Sequence, residues 1–96
     1  METYLIVRRS GWRTADELQE AARRSTAEVE RMADDVRWLR SYVLAETDGS
    51  LGTVCIYQAS SPEAIRQHAA DADLPVDEIV KVADTVKVRE DPVAAS

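Results

Sequence analysis

The sequence predicts an α+β fold in β-α-β-β-α-β order, an antiparallel sheet with both helices on one face, and a last apolar stretch able to add a fifth C-terminal strand. Three observations carry the prediction. Tyr4-Leu5-Ile6-Val7 is a short apolar run of strand length. Thr14 and Ser61-Pro62 each open a segment with apolar residues at helical spacing. Between those segments, Trp38-Leu39-Arg40-Ser41-Tyr42-Val43 and Val54-Cys55-Ile56-Tyr57 alternate on either side of Asp48-Gly49, the pattern of a hairpin.

The first apolar run reads as a central strand ended by Arg8, Arg9, Ser10 and Gly11. Thr14 then starts a helix: its hydroxyl suits a cap, Glu17 lies three residues on to reach back, and Asp16 and Glu17 favour the positive end of the dipole. Leu18, Ala22, Ser25, Val29 and Met32 form the stripe that covers the sheet, with Glu20, Arg23, Arg24, Glu28 and Arg31 on the solvent side. The hairpin runs over residues 36–59 and turns at Glu46-Thr47-Asp48-Gly49-Ser50. In the second helix Ser61 caps, Pro62 occupies the first helical position, and Ile65, Ala69 and Ala72 make a narrow apolar stripe that ends at Leu74-Pro75. Ile79-Val80-Lys81-Val82 and Val86-Lys87-Val88 read as one or two β-branched strands broken around Asp84. One ferredoxin-like domain is expected over residues 1–90, with 91–96 a flexible C-terminal tail.

Ninety-six residues allow one modest core. Phe is absent, so Trp12, Trp38 and the three tyrosines supply its bulk. A net charge of −6 argues against nucleic-acid binding, because phosphate contacts need a clustered excess of Lys and Arg. No apolar run approaches a membrane span, and Met1-Glu2-Thr3 leads straight into a strand pattern rather than a signal peptide, so the cytoplasm is the expected compartment. The single Cys forms no internal disulfide, in agreement with a reducing environment.

Function hangs on the hairpin. With an even turn at Asp48-Gly49, Tyr42 opposes Cys55 and Arg40 opposes Tyr57, while Val43 faces Val54 and Ser41 faces Ile56. One face is then aliphatic and the other holds aromatics, a guanidinium and a thiol. An odd turn would exchange Cys55 and Tyr57 for Val54 and Ile56; the alternation on both strands favours the even one. Two helices leave one sheet face uncovered. That face is expected to carry Tyr4, Ile6, Trp38, Tyr42, Cys55 and Tyr57, a patch that a homodimer packed sheet to sheet would hide, with a cavity between the two sheets.

These residues also carry a family resemblance. The string Trp38-Leu39-Arg40-Ser41-Tyr42-Val43, then Cys55-Ile56-Tyr57-Gln58-Ala59-Ser60-Ser61-Pro62-Glu63-Ala64-Ile65-Arg66, His68-Ala69 and Leu74-Pro75-Val76-Asp77-Glu78-Ile79 resembles a family of small bacterial ferredoxin-like proteins that includes a streptomycete nickel-binding protein. The resemblance spans Tyr4 to about Val82. It implies a homodimer, and nickel as a metal for one branch. The position before Ser41-Tyr42 is commonly His in that family, but here it is Arg40, whose guanidinium stays protonated and binds no metal. His68 is the imidazole left for nickel.

Each candidate has a structural alternative. His68 with Asp71 one turn on could hold a weakly bound metal; a helix-surface His favoured by the C-terminal dipole is the preferred reading. Cys55 in a central strand is expected to pack, although a nearby Arg40 would promote its thiolate. Arg40 among Trp38, Tyr42 and Tyr57 either binds a small anionic or aromatic ligand or pairs with a carboxylate across a dimer interface, and the two roles are compatible. Arg8, Arg9 and Arg13 beside Trp12 either contact an anion or form a solvated basic loop, the loop being the preferred reading. Asp34 and Asp35, Glu17 and Glu20, and Asp71 and Asp73 read as solvated faces and helix ends.

The sequence thus points to a small homodimeric binding protein similar to nickel-sequestering ones, with no nucleic-acid or membrane partner. The alternative is a cofactor-independent isomerase, cyclase or oxygenase, in which Arg40 stabilises negative charge and Tyr42 or Tyr57 relays a proton within a dimeric α+β barrel.

Overall fold

The computed structural model describes residues 1–91. The chain runs β1 (Glu2–Trp12), α1 (Ala15–Arg31), β2 (Val36–Ala45), β3 (Leu51–Ala59), α2 (Pro62–Asp71) and β4 (Glu78–Lys81). The strands pair antiparallel in the order β2-β3-β1-β4, the ferredoxin-like arrangement expected from the sequence. Both helix starts follow their capping residues. The Thr14 hydroxyl accepts from the Glu17 N–H at 3.2 Å, the Glu17 carboxylate accepts from the Arg13 N–H at 2.8 Å, and Ser61 accepts from Ala64 at 3.2 Å with Pro62 opening α2.

β1 does not stop at Arg8 as expected. It continues to Trp12, which opposes Leu51, with an irregularity between Arg8 and Trp12 where Ser10 takes a φ of 48°. Carboxylates from other elements satisfy the backbone donors that the ladder leaves out: Asp77 accepts from the Arg9 N–H at 2.5 Å and Glu46 from the Ser10 N–H at 2.7 Å. Gly52 lies where β1 and β3 come closest, since a Cβ there would sit 2.6 Å from the Arg8 carbonyl oxygen.

The hairpin register also departs from the even turn. Ala45 opposes Leu51, so residues 46–50 form an odd loop, closed by Glu46 N–H donating to the Ser50 carbonyl at 3.1 Å, with Gly49 at a φ of 86°. Asp48 fixes this length, because its carboxylate accepts from the Ser50 N–H at 2.9 Å. A second shift lies within β2. Trp38 opposes Tyr57 but Arg40 opposes Ile56, so Leu39 is the extra residue of a β-bulge. Beyond it the order is Ser41 with Cys55, Tyr42 with Val54 and Val43 with Thr53.

Turn and bulge together re-sort the faces. Tyr4, Ile6, Val36, Cys55, Tyr57 and Ala59 form one buried cluster with Ile65 of α2, and Val29, Met32 and Trp38 pack against it. Tyr4, Ile6, Trp38, Cys55 and Tyr57 therefore lie beneath the helices and not on the uncovered face. Alternation from these positions puts Leu5, Val7, Val54, Ile56 and Val80 on the open face, joined by Arg40 and Tyr42. Of the predicted set only Tyr42 is where the sequence placed it.

β4 is the last strand among the described residues. After the Val82 N–H donates to the Thr3 carbonyl, the chain passes the N-terminal end of β1, its neighbour in the sheet, and Val86 and Val88 stand 89% and 85% exposed outside any strand. Of the predicted tail, residues 92–96 lie outside the described residues; Asp91 lies within them. No helix among the described residues is long and apolar enough to cross a membrane.

Candidate functional site

α1 and the sheet do not close completely on each other. Between them is a chamber of about 250 Å³. Leu18, Ala21, Ala22 and Ser25 of α1 form its roof, and small residues are the reason a gap remains there. Its floor is the covered sheet face: Arg8 from β1, Trp38, Ser41 and Val43 from β2, and Thr53, Cys55 and Tyr57 from β3. Trp12, Leu74 and the exposed Gln19 complete the wall. The bulge at Leu39 is what brings both Trp38 and Ser41 inward, since without it strict alternation would set them on opposite faces.

The polar groups of this wall are largely engaged with one another. Trp38 Nε1 donates to Ser41 Oγ at 2.8 Å, and Ser41 donates on to Cys55 Sγ at 3.0 Å. The Cys55 thiol in turn reaches Thr53 Oγ1 at 3.5 Å. Trp38 stacks on Tyr57 with centroids 6.1 Å apart, and the Tyr57 hydroxyl shares a 3.1 Å hydrogen bond with Ser25 Oγ. Behind Tyr57, the ring of His68 tilts against it at 5.4 Å. His68 Nε2 lies 3.1 Å from the Ser25 carbonyl, which only accepts, so the proton sits on Nε2 and the Nδ1 lone pair is buried without a partner. Burial pushes the Tyr57 phenol up and the His68 imidazolium down, so both stay neutral near pH 7; the charge of Arg8 opposes the first shift and assists the second.

Arg8 is the exception to this mutual pairing. It is 1% exposed, its Nη1 donates to the Pro75 carbonyl at 3.3 Å, and its Nη2 is buried with no partner among the described residues. No ion pair among the described residues includes it. Its neighbours in the expected basic loop behave differently. Arg9 pairs with Glu46 at 2.7 Å, an ion pair that also holds the Glu46 carboxyl below its usual range, and Arg13 is exposed.

The candidates named from the sequence divide accordingly. Trp38, Cys55 and Tyr57 meet in the chamber. Arg40 and Tyr42 lie on the other side of the sheet, where Arg40 donates to Asp91 at 2.8 Å and the Tyr42 hydroxyl donates to the same carboxylate oxygen at 2.7 Å. Tyr42 and then Asp91 hold the Arg40 guanidinium above its ordinary value. Arg40 is therefore no promoter of a Cys55 thiolate. His68 is a core residue, 0% exposed, rather than a surface one. Asp71 is on the surface, taking hydrogen bonds from Gln67 at 2.8 Å and Arg31 at 3.4 Å. The two do not make a metal pair, and among the described residues no group of three His, Cys, Asp or Glu side chains gathers to hold an ion. Within one chain these residues do not fit a nickel centre.

Of the residues gathered here, Ser25 had no functional role in the sequence analysis, Arg8 was expected in a basic loop and His68 on a helix surface. The signals were present: Tyr4, Ile6 and Arg8 share one parity, Ser25 falls on the apolar stripe of α1, and His68 lies three residues from Ile65 on that of α2.

Fold and chamber together define a ferredoxin-like α+β protein with a fragment-sized cavity between its first helix and its sheet. The chain belongs to the family described as nickel responsive protein, SCO4226-like, whose model matches residues 4–82. Among solved structures it is similar to SCO4226 from Streptomyces coelicolor A3(2), with 24% identity and a TM-score of 0.70 over 88% of this chain and 99% of that one. That likeness shows the shared fold. Rv0793 from Mycobacterium tuberculosis matches at 13% identity and a TM-score of 0.41 over 93% of this chain and 100% of its own, too distant to bear on the site. No curated protein matches.

Proposed function

We propose that this chain is a homodimeric small-molecule-binding protein that holds its ligand in the chamber beneath α1. The observation that carries the reading is the chamber itself: about 250 Å³, larger than engineered apolar cavities of ~150 Å³ that take up benzene, with aromatic walls and a few polar groups. The aliphatic open face supports the dimer, because Val80 and Tyr42 are 42% and 44% exposed beside Leu5, Val7, Val54 and Ile56 with no helix over them. Nickel sequestration is the weaker reading for this member. Arg40 stands where the resemblance implies a His and is paired with Asp91, and His68 is buried on the Ser25 carbonyl.

Trp12 and Trp38 are the only tryptophans and both line the chamber, so their indole signals report on its occupancy. A screen of small aromatic fragments by 15N–1H correlation spectra should shift both indole peaks. Ala22→Phe, which fills the roof, should abolish those shifts while leaving the rest of the spectrum folded. Fragment shifts that survive Ala22→Phe would refute the chamber as the binding site.

A second reading, the cofactor-independent enzyme, is favoured by the hydrogen-bonded pair Tyr57 and Ser25 on the chamber wall, with His68 behind it. In it the enol form of a 2-oxo acid loses its hydroxyl proton to solvent water, and Arg8, not Arg40, stabilises the enolate oxygen left behind. The neutral Tyr57 phenol protonates the enolate carbon and is reprotonated from solvent, the exchange of hydrogen at that carbon being the same path run in both directions. Deuterium wash-in beside the carbonyl of an aryl 2-oxo acid, measured by NMR, should exceed the buffer rate and return to it in Tyr57→Phe. Wash-in at the buffer rate with the wild-type protein would exclude this chemistry for that substrate class.

A further inference from the structure

The charge balance of the chamber points to what it binds. Its wall includes one cation, Arg8, and no Asp or Glu. A guanidinium 1% exposed with an orphaned Nη2 is a rare arrangement, because arginine is seldom fully buried unless paired. The counter-charge is not supplied by the described residues. We propose that a ligand supplies it: resting on the chamber as the binding site, Arg8 is the anchor for a small monocarboxylate with an aromatic or alicyclic body.

Three features select that class over other anions. The planar guanidinium fork matches the geometry of a carboxylate oxygen pair. The buried polar groups are largely spent on each other, Trp38 on Ser41, Ser41 on Cys55 and Tyr57 on Ser25, and Arg8 is the one cation of the wall, so a monoanion is balanced there while a phosphate dianion keeps an uncompensated charge. Finally, a volume of about 250 Å³ walled by Trp38, Tyr57, Leu18 and Ala22 accommodates one ring and a short acid arm, and the apolar body of such a ligand replaces no hydrogen bond that the wall needs.

The probes are phenylacetate, 2-phenylethanol and 2-phenylethylamine, which share a ring and chain and differ in charge. Each is titrated into the intact protein while the Trp12 and Trp38 indole peaks are followed. Phenylacetate should saturate at a concentration about tenfold or more below that of the alcohol, and the amine should bind more weakly than either. Arg8→Met keeps the bulk and removes the charge; it should bring acid and alcohol to equal affinity with the alcohol still bound. Arg8→Lys should restore the preference for the acid. Equal affinity of wild type for acid and alcohol, or a preference that persists in Arg8→Met, would overturn the role of Arg8 while leaving the chamber as a site. Failure of all three probes to move either indole would remove the chamber reading and this proposal with it. Should Arg8→Met fail to fold, the wild-type ranking of the three probes decides by itself.

Discussion

On the covered face of the sheet lie Arg8, Thr53 and Tyr57, all buried, with Ser25 and His68 packed over them from the helices. The face without helices carries Leu5, Val7, Val54, Ile56 and Val80. The covered face thus keeps polar groups beside its apolar cluster, and the open face keeps aliphatic ones beside Arg40 and Tyr42, where a half-covered sheet usually turns polar side chains outward. The two faces differ in what would satisfy their side chains. Polar groups kept beside a chamber are costly unless they meet a ligand, and aliphatic groups left outside are costly unless they meet a partner.

Truncating matching residues on the two faces should have the largest and most unequal effect. Ile6→Ala removes a fully buried side chain and should cost about 2–5 kcal/mol in urea unfolding. Val54→Ala, its counterpart on the open face, should cost under about 1 kcal/mol at protein concentrations low enough to favour the monomer. Equal losses would mean that the two faces are equally packed within one chain.

Next comes the partner expected on the open face. Ile56→Lys places a charge at its centre and should convert a dimeric mass by light scattering into a monomeric one without loss of the chamber's fragment binding. A monomeric wild type at micromolar concentration would defeat the dimer.

A smaller effect comes from pH. Burial lowers the folded-state pKa of His68, with the Ser25 carbonyl, Glu28 and Asp71 opposing and Arg8 assisting. The unfolded chain therefore takes up a proton below about pH 6.5 that the folded chain refuses, so this stability is present above that pH and lost as pH falls through it. The loss has a limiting slope of about 1.4 kcal/mol per pH unit for one group. His68→Gln retains a donor for the Ser25 carbonyl but does not titrate. Its urea midpoint should fall less steeply than that of the wild type between pH 7 and pH 5.5, and parallel curves would contradict the assignment. The smallest effect is expected for Asp91→Asn on the open side, where the Arg40 and Tyr42 contacts are exposed and the unfolding midpoint should not move measurably.

Legibility differed between element types. Both helices were readable because their caps and stripes are local: Thr14 with Glu17, Ser61 with Pro62, and Ile65, Ala69 and Ala72 at helical spacing. The hairpin was readable as a hairpin, but its faces were not. A five-residue loop over 46–50 and an extra residue at Leu39 each move side chains across the sheet, and both depend on contacts between strands rather than on either strand's pattern. The same shift separated the expected site. Trp38, Cys55 and Tyr57 stayed together, while Arg40 and Tyr42 went to the far side and Arg8 took the place intended for Arg40.

The amino-acid sequence by itself determined the element order, the helix boundaries and the sheet topology, because hydrophobic period, caps and turn residues act over a few neighbours. Tertiary structure alone decided which face of each strand is covered, that α1 leaves a chamber above the sheet, and that Arg8 is buried without a counter-charge among the described residues. Those properties follow from register and from how small residues of α1 meet β1, β2 and β3 across long separations in the chain, and no local pattern encodes them.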